Sequence, residues 1–312
     1  MNLLSPAPMI NSLMVFAIYI GVFYSFEVQS SHLNKNENKE VIRWLVEDKI
    51  ENADLLTKSS PDTSTASYIE NLIIQQLIQY DIQIERMTAP RINKILNTKS
   101  NVCTANRADT PERRKHSLFS DPQSFYLTHK LYRYNSTSAL PKQLFNSKGE
   151  IKELAKVFTT LPAQTLGLAQ DISFGNFLDQ QLEKVNPANI YYRNGNQRVI
   201  ALASMLFTSR VDFILALPVD ITPDETQKVL LEQYTIAGAP PYLIAHFNCS
   251  NSPLGKTIIN DINKILAKTY QTENYFQAHK KWFSGRQLTD LQIFISEKFS
   301  KKYLYPAKLN KP

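Results

Sequence analysis

Twice along this chain, short apolar runs alternate with stretches of helical periodicity, and an extended aromatic segment separates the two series. That repetition constrains the fold more than any other feature. In the first series, residues 41–46 (VIRWLV) read as a buried strand, and Tyr68, Ile69, Leu72, Ile73, Gln76 and Leu77 recur at helical spacing behind a Ser67 or Thr65 cap. Residues 82–85 alternate as a strand, 91–96 are helical, and 102–105 form a further strand. The second series has helix at 151–158, strand at 165–169, helix at 174–182, strand at 190–192, helix at 197–207 and strand at 211–217. Strand–helix alternation of this kind makes α/β lobes with largely parallel sheets. Residues 125–134 offer one crossover between the lobes. A second falls near 236–243, where Gly238 and the Pro240-Pro241 pair interrupt regular structure. Past it, Leu254, Ile258, Ile259, Ile262, Ile265 and Leu266 form the stripe of a helix packed on a sheet. The expected division is lobe 1 from 38–130 and 240–308, and lobe 2 from 131–239. A chain that leaves one lobe and returns to it places a cleft between them, beyond the carboxyl ends of the strands.

Hydrophobic residues at 43% and charged residues at 20% exclude a disordered chain and a multi-span membrane protein. The net charge of +7 is scattered. Its densest patches, at 113–115 and 298–302, lack the aromatic and glycine interleaving of nucleic-acid modules, so no nucleic-acid partner is expected. Residues 13–26 (LMVFAIYIGVFYSF) are an apolar run too long for a core strand and short for a membrane span, followed by the small residues of Val28-Gln29-Ser30. Segment 1–30 reads first as a cleaved export signal, then as an uncleaved N-terminal anchor and last as a buried helix, although no Lys or Arg precedes the run. The two cysteines, Cys103 and Cys249, permit one disulfide in an oxidising compartment; two buried free thiols are the other reading.

The segment NVCTANRADTPERRKHSLFSDPQSFYL, from Asn101 to Leu127, is the most informative. Thr110 can cap a helix that begins at Pro111, because a proline there gives up only an N–H with no partner inside the helix. Arg113 at the end of that turn adds a forked donor suited to a carboxylate. The TPER and FSDP motifs resemble the signature of the bacterial extracellular solute-binding proteins of family 3. The likeness extends to Trp44 through Asp48 (WLVED), to Leu166 through Gly175, to Ser209 through Phe213, and to Cys249 through Lys256. It is nearest to a periplasmic subgroup with WLVED and a Cys before TPER.

The resemblance implies a two-lobed periplasmic-binding-protein-like fold of type II, with two hinge strands and a ligand cleft. In that cleft Arg113 grips a carboxylate, Ser173 contributes its hydroxyl or the helix start behind it, and Asn106 and Ala108 offer backbone groups. It further implies a monomer without cofactor, partnered by a small-molecule ligand and by an inner-membrane transporter or a sensor. The family's acid for the ligand's ammonium group falls at Leu217 here, and its stacking aromatic has no equivalent within 49–53. An unpartnered buried ammonium costs several kcal/mol, so the expected ligand is a carboxylate or another polar solute, not an ordinary α-amino acid. The five histidines show no HxH or HExxH spacing, so no metal is expected, and no nucleophile elbow or phosphate loop is present. A dehydratase-like arrangement of Glu47 or His129 with Arg113 is the enzymatic alternative, and a degenerate binding protein with a structural or partner role is the other; with no catalytic residue assigned, Glu47 stands as a further ligand contact.

Overall fold

The computed structural model describes residues 39–47, 64–135, 138–195, 197–280 and 282–299. Residues 1–30, read above as an export signal or anchor, Asp48 and the 49–53 stretch lie outside them. Among the described residues, no helix is long and apolar enough to cross a membrane.

The chain opens with β1 (Glu40–Glu47), α1 (Thr65–Ile74), β2 (Tyr80–Met87), α2 (Ala89–Thr98), β3 (Val102–Ala108), α3 (Pro111–Arg114) and β4 (Ser117–Leu127). It continues through β5 (Lys130–Tyr134), α4 (Leu154–Thr160), β6 (Leu166–Ala169), α5 (Asn176–Leu182), β7 (Ile190–Arg193), α6 (Arg198–Phe207), β8 (Phe213–Ala216), α7 (Glu225–Leu230) and β9 (Leu231–Tyr234). Then it returns with β10 (Tyr242–Ser250), α8 (Pro253–Thr269), α9 (Glu273–Lys280) and α10 (Gly285–Phe299).

Two sheets of five strands result, ordered β2-β1-β3-β10-β4 and β7-β6-β8-β5-β9. In each, four strands run one way. The fifth, inserted next to an edge, runs against them and is the strand that has just crossed from the other sheet. The crossovers meet where the Thr128 N–H donates to the Pro241 carbonyl at 3.1 Å. Gly238 takes φ +83° in the return crossover, where a side chain would also press on the Phe177 ring.

Burial follows the period of two that each strand imposes. Phe213 and Leu215 face one core with α4 and α5, while Ile214 and Ala216 face another with Leu202 and Leu206 of α6. Ile42 and Trp44 pack with Phe247 and the α8 stripe of Ile258, Ile262 and Leu266; Leu45 turns to Ile92 and Leu96 on the other face. Sheets covered on both faces need such continuous apolar strands. Cys103 and Cys249 stand opposite each other in the β3–β10 ladder and are joined by a disulfide. Pro122 is accommodated because β4 is an edge strand, and its partner β10 shifts register around His246. The α1 helix is capped by Ser64, one residue before Thr65 and three before Ser67, so neither expected cap is the one used.

Candidate functional site

The strand ends of the two sheets flank a cavity of about 390 Å³, within the range of small-molecule sites. Glu47, Asn106, Arg107, Ala108 and Arg113 line it from the first lobe, and His129 from the crossover. Asp171, Ser173, Arg198 and Leu217 line it from the second lobe. All five expected ligand contacts therefore come together, although several of their polar groups are already engaged.

Arg113 is placed by the short helix that the sequence forecast. Thr110 accepts from the Arg113 N–H at 3.3 Å, and Pro111 opens the turn. The guanidinium bends back, and Nη1 donates to the Ala108 carbonyl at 2.9 Å. Burial lowers its pKa from the usual guanidinium value, while the charge of Asp179 acts in the opposite direction. Ala108 thus serves as the brace of the arginine. The Asn106 N–H, in a left-handed residue at φ 57°, donates to Gln123 Oε1 at 2.7 Å. Ser173 donates its hydroxyl to Asp179 Oδ2 at 2.6 Å and accepts from the Gly175 N–H at 3.1 Å. Asp179 also accepts from the Phe174 N–H, so this network shapes the entry to α5.

Glu47, at the end of β1, forms an ion pair with Arg198, the first residue of α6. The pair ties one lobe to the other across the cavity. Arg198 is buried, and its Nε has no hydrogen-bond partner among the described residues. Arg107, on β3, donates to Asn93 Oδ1 of α2 and also leaves a buried Nε without a partner. Burial and the neighbouring Arg113 charge pull its pKa down to about 9, with Glu47 and Asp171 pulling upward. His129 is buried, with its ring edge-on to Phe174 at 4.9 Å and its Nδ1 unpartnered among the described residues. Burial pushes its pKa down to about 3, which leaves a neutral imidazole at physiological pH. Leu217 lines the cavity just past β8, with Ile172 and Val199 extending an apolar wall. Among the described residues, no group of His, Cys, Asp and Glu side chains could hold a metal ion.

Sequence reasoning passed over Arg107, Asp171 and Arg198. Arg107 lies between the two backbone positions singled out, and alternation along β3 could have set it on its own face. Arg198 starts a helix, where a cation opposes the helix dipole, and that local misfit was the available signal. Asp171 sits at φ 60° in the turn after β6, a position where Asp is tolerated.

No protein-family model matches the chain, and no curated protein matches it. Solved structures do. The substrate-binding protein of an amino acid ABC transporter aligns at TM-score 0.53 and 16% identity, covering 78% of this chain and 99% of its own. A histidine kinase sensor domain with similarity to periplasmic binding proteins aligns at TM-score 0.53 and 12% identity over 78% of this chain and 97% of its own. An ancestral amino-acid-binding protein, a precursor of cyclohexadienyl dehydratase, aligns at TM-score 0.52 and 14% identity over 79% and 96%. At such identities the likeness defines the fold. This chain has the two-lobed α/β architecture of the periplasmic binding proteins.

Proposed function

We propose that this protein is an exported solute receptor of the family 3 type, in the subgroup with WLVED and a Cys before TPER, whose lobes close on a small carboxylate. The observation that carries this reading is Arg113. It lines the interlobe cavity, is braced by a carbonyl, and has no carboxylate bonded to it among the described residues. An unpaired, partly buried guanidinium is stabilised when a ligand supplies the counter-ion in bidentate geometry. Leu217, where the resembling family carries its ammonium-holding acid, favours a ligand without an α-amino group. Ser173, Asn106, Ala108 and Glu47 belong to the cavity wall, the first three through groups that shape or brace it.

In this reading residues 1–30 direct export, the lobes divide at 130/131 and 239/240, and the protein acts as a monomer. Closure delivers the ligand to a membrane transporter or signals to a sensor partner; both use ligand contacts from two lobes to favour the closed state. The reading is binding without turnover. Glu47 is engaged by Arg198, and a histidine of pKa about 3 is a poor proton shuttle at neutral pH, which weighs against the dehydratase-like alternative.

A thermal-shift and calorimetric screen of short organic acids against α-amino acids tests it. Organic acids should raise the melting temperature, and Arg113→Gln should abolish the effect. A clear preference for zwitterionic amino acids, or binding unaffected by R113Q, would overturn the reading.

A further inference from the structure

The cavity holds a second cation that the binding role of Arg113 does not use. Most arginines with a defined acidic partner here are in direct contact with it: Arg43 with Glu85, Arg114 with Asp109, Arg133 with Glu232 and Arg198 with Glu47. Arg107 and Arg113 differ. Each guanidinium is held by a neutral oxygen, Arg107 by the Asn93 amide and Arg113 by the Ala108 carbonyl. Among the described residues neither makes an ion pair, yet both line the same cavity. They are anchored to different supports, Arg107 to α2 and Arg113 to its own strand end, so they present two separate positive centres. Burial and Arg113 lower the pKa of Arg107, as expected when two like charges share a sheltered space. The remaining cation, Arg198, already has Glu47. Asp171, which also lines the cavity, acts on Arg107 without an ion pair, so a monoanion would contact one of the two guanidiniums and leave the other without a directly bonded counter-ion.

Resting on the carboxylate reading, we infer that the ligand is a dicarboxylate, with one carboxylate on Arg113 and the second on Arg107. Arg107 gives an Nη2 donor to Asn93 and still lines the cavity, so the rest of its guanidinium fork is what the second carboxylate would take up. The chain between the carboxylates would lie along the apolar wall of Ile172, Val199 and Leu217.

The test is isothermal titration calorimetry of the full chain with acids matched in length: butanoate against succinate, pentanoate against glutarate, and glutamate as the ammonium-bearing control. For the wild type, each dicarboxylate should bind at least tenfold more tightly than its monocarboxylate. Arg107→Gln should bring the affinities of the two acids to within about twofold of each other, chiefly by weakening the dicarboxylate, and Arg113→Gln should lose both ligands. Circular dichroism melting of both variants establishes that they fold. An Arg107→Lys variant, which keeps the charge but not the fork, should retain part of the dicarboxylate preference.

Equal affinity for the two acids of a pair would overturn the dicarboxylate assignment but leave the carboxylate receptor standing. The same holds if R107Q weakens both acids equally, since Arg107 would then only prop β3 against α2. If no acid binds, or glutamate outcompetes glutarate, the carboxylate reading falls and takes this inference with it.

Discussion

The two lobes share one strand order but are built differently. Strands of the first sheet run from 7 to 11 residues, whereas those of the second run 4 or 5. The first is also strapped by the Cys103–Cys249 disulfide, which joins its third strand to the strand returning from the other lobe. The contents of the cavity divide the same way. Arg107, Arg113 and Glu47 stand on or just past strand ends of the first lobe, while the second supplies Asp171, Ser173, an apolar wall and an arginine whose counter-ion is borrowed from the first. One topology thus serves two tasks: a braced frame that holds unneutralised charge, and a lighter one that covers it. Charge held without a partner costs free energy, and a stiff support keeps it from relaxing toward stray carboxylates.

Removing the strap should have the largest effect. The bond closes a loop with a sequence separation of 146, for which chain-entropy arguments give about 4–5 kcal/mol. Both tryptophans, Trp44 and Trp282, belong to the first-lobe core, so their fluorescence reports on that lobe. Cys103→Ala/Cys249→Ala should move the fluorescence midpoint in guanidinium far below that of the wild type. An unchanged midpoint would mean that the disulfide does not brace the lobe.

Two glycines sharpen the contrast. A β-carbon on Gly255 would sit 2.0 Å from the Ser250 carbonyl oxygen, a backbone atom fixed by β10 and the start of α8. On Gly167 it would meet the tip of Leu202 at 2.8 Å, which can rotate away. Gly255→Ala should cost about 3 kcal/mol and Gly167→Ala about 1 kcal/mol, read by denaturant titration. Similar losses for the two would show that the second lobe is packed as rigidly as the first.

Among the described residues, the Glu47–Arg198 pair ties the lobes together by charge. Glu47→Gln keeps the shape and an acceptor but leaves a buried guanidinium unneutralised, a loss of about 1–2 kcal/mol given the partial exposure of Glu47. The unliganded variant should show a larger radius of gyration in solution scattering. No change there would deny the pair any part in holding the lobes together.

Much of this architecture is legible in the sequence because period and punctuation are local. The alternation in 213–216, the Thr110-Pro111 helix start and the Gly238 break each express their physics within a few residues. The length of β4 is harder to read, since Pro122 argues against a strand until the edge position and the register shift of β10 are known. The same limit applies at the site. Arg113 stands out because its helix start is a local motif, whereas Arg107 and Arg198 gain meaning only from neighbours 14 and 151 residues away. Whether a side chain in such a cavity is free or engaged depends on those distant partners.

Buried titrating groups give the finest test of the comparison, because they oppose one another. His279, in the first lobe, is satisfied as a neutral ring: its Nδ1 meets the Tyr275 carbonyl at 2.8 Å, and its Nε2 accepts from the Phe125 N–H at 3.1 Å. Burial lowers its pKa to about 4, and that of His129 at the crossover to about 3. Both are depressed below 6.5, so their stabilisation is complete above that pH and is lost as pH falls toward the folded values. Glu70 behaves in the opposite sense. Burial raises its pKa to about 7 despite the hydrogen bond from Trp44 Nε1 at 2.6 Å. Its contribution is complete below 4.5 and disappears as pH rises through 7, so acidification from 7 to 4.5 adds stability. Between pH 6.5 and 4.5 the carboxyl therefore masks part of the histidine loss. Glu70→Gln, which keeps an oxygen for Trp44, should steepen the decline of unfolding free energy on acidification by about 1 kcal/mol per pH unit. Superimposable profiles for the variant and the wild type would mean that Glu70 is ionised in the folded protein, and that the first-lobe core tolerates a buried charge as the cavity does.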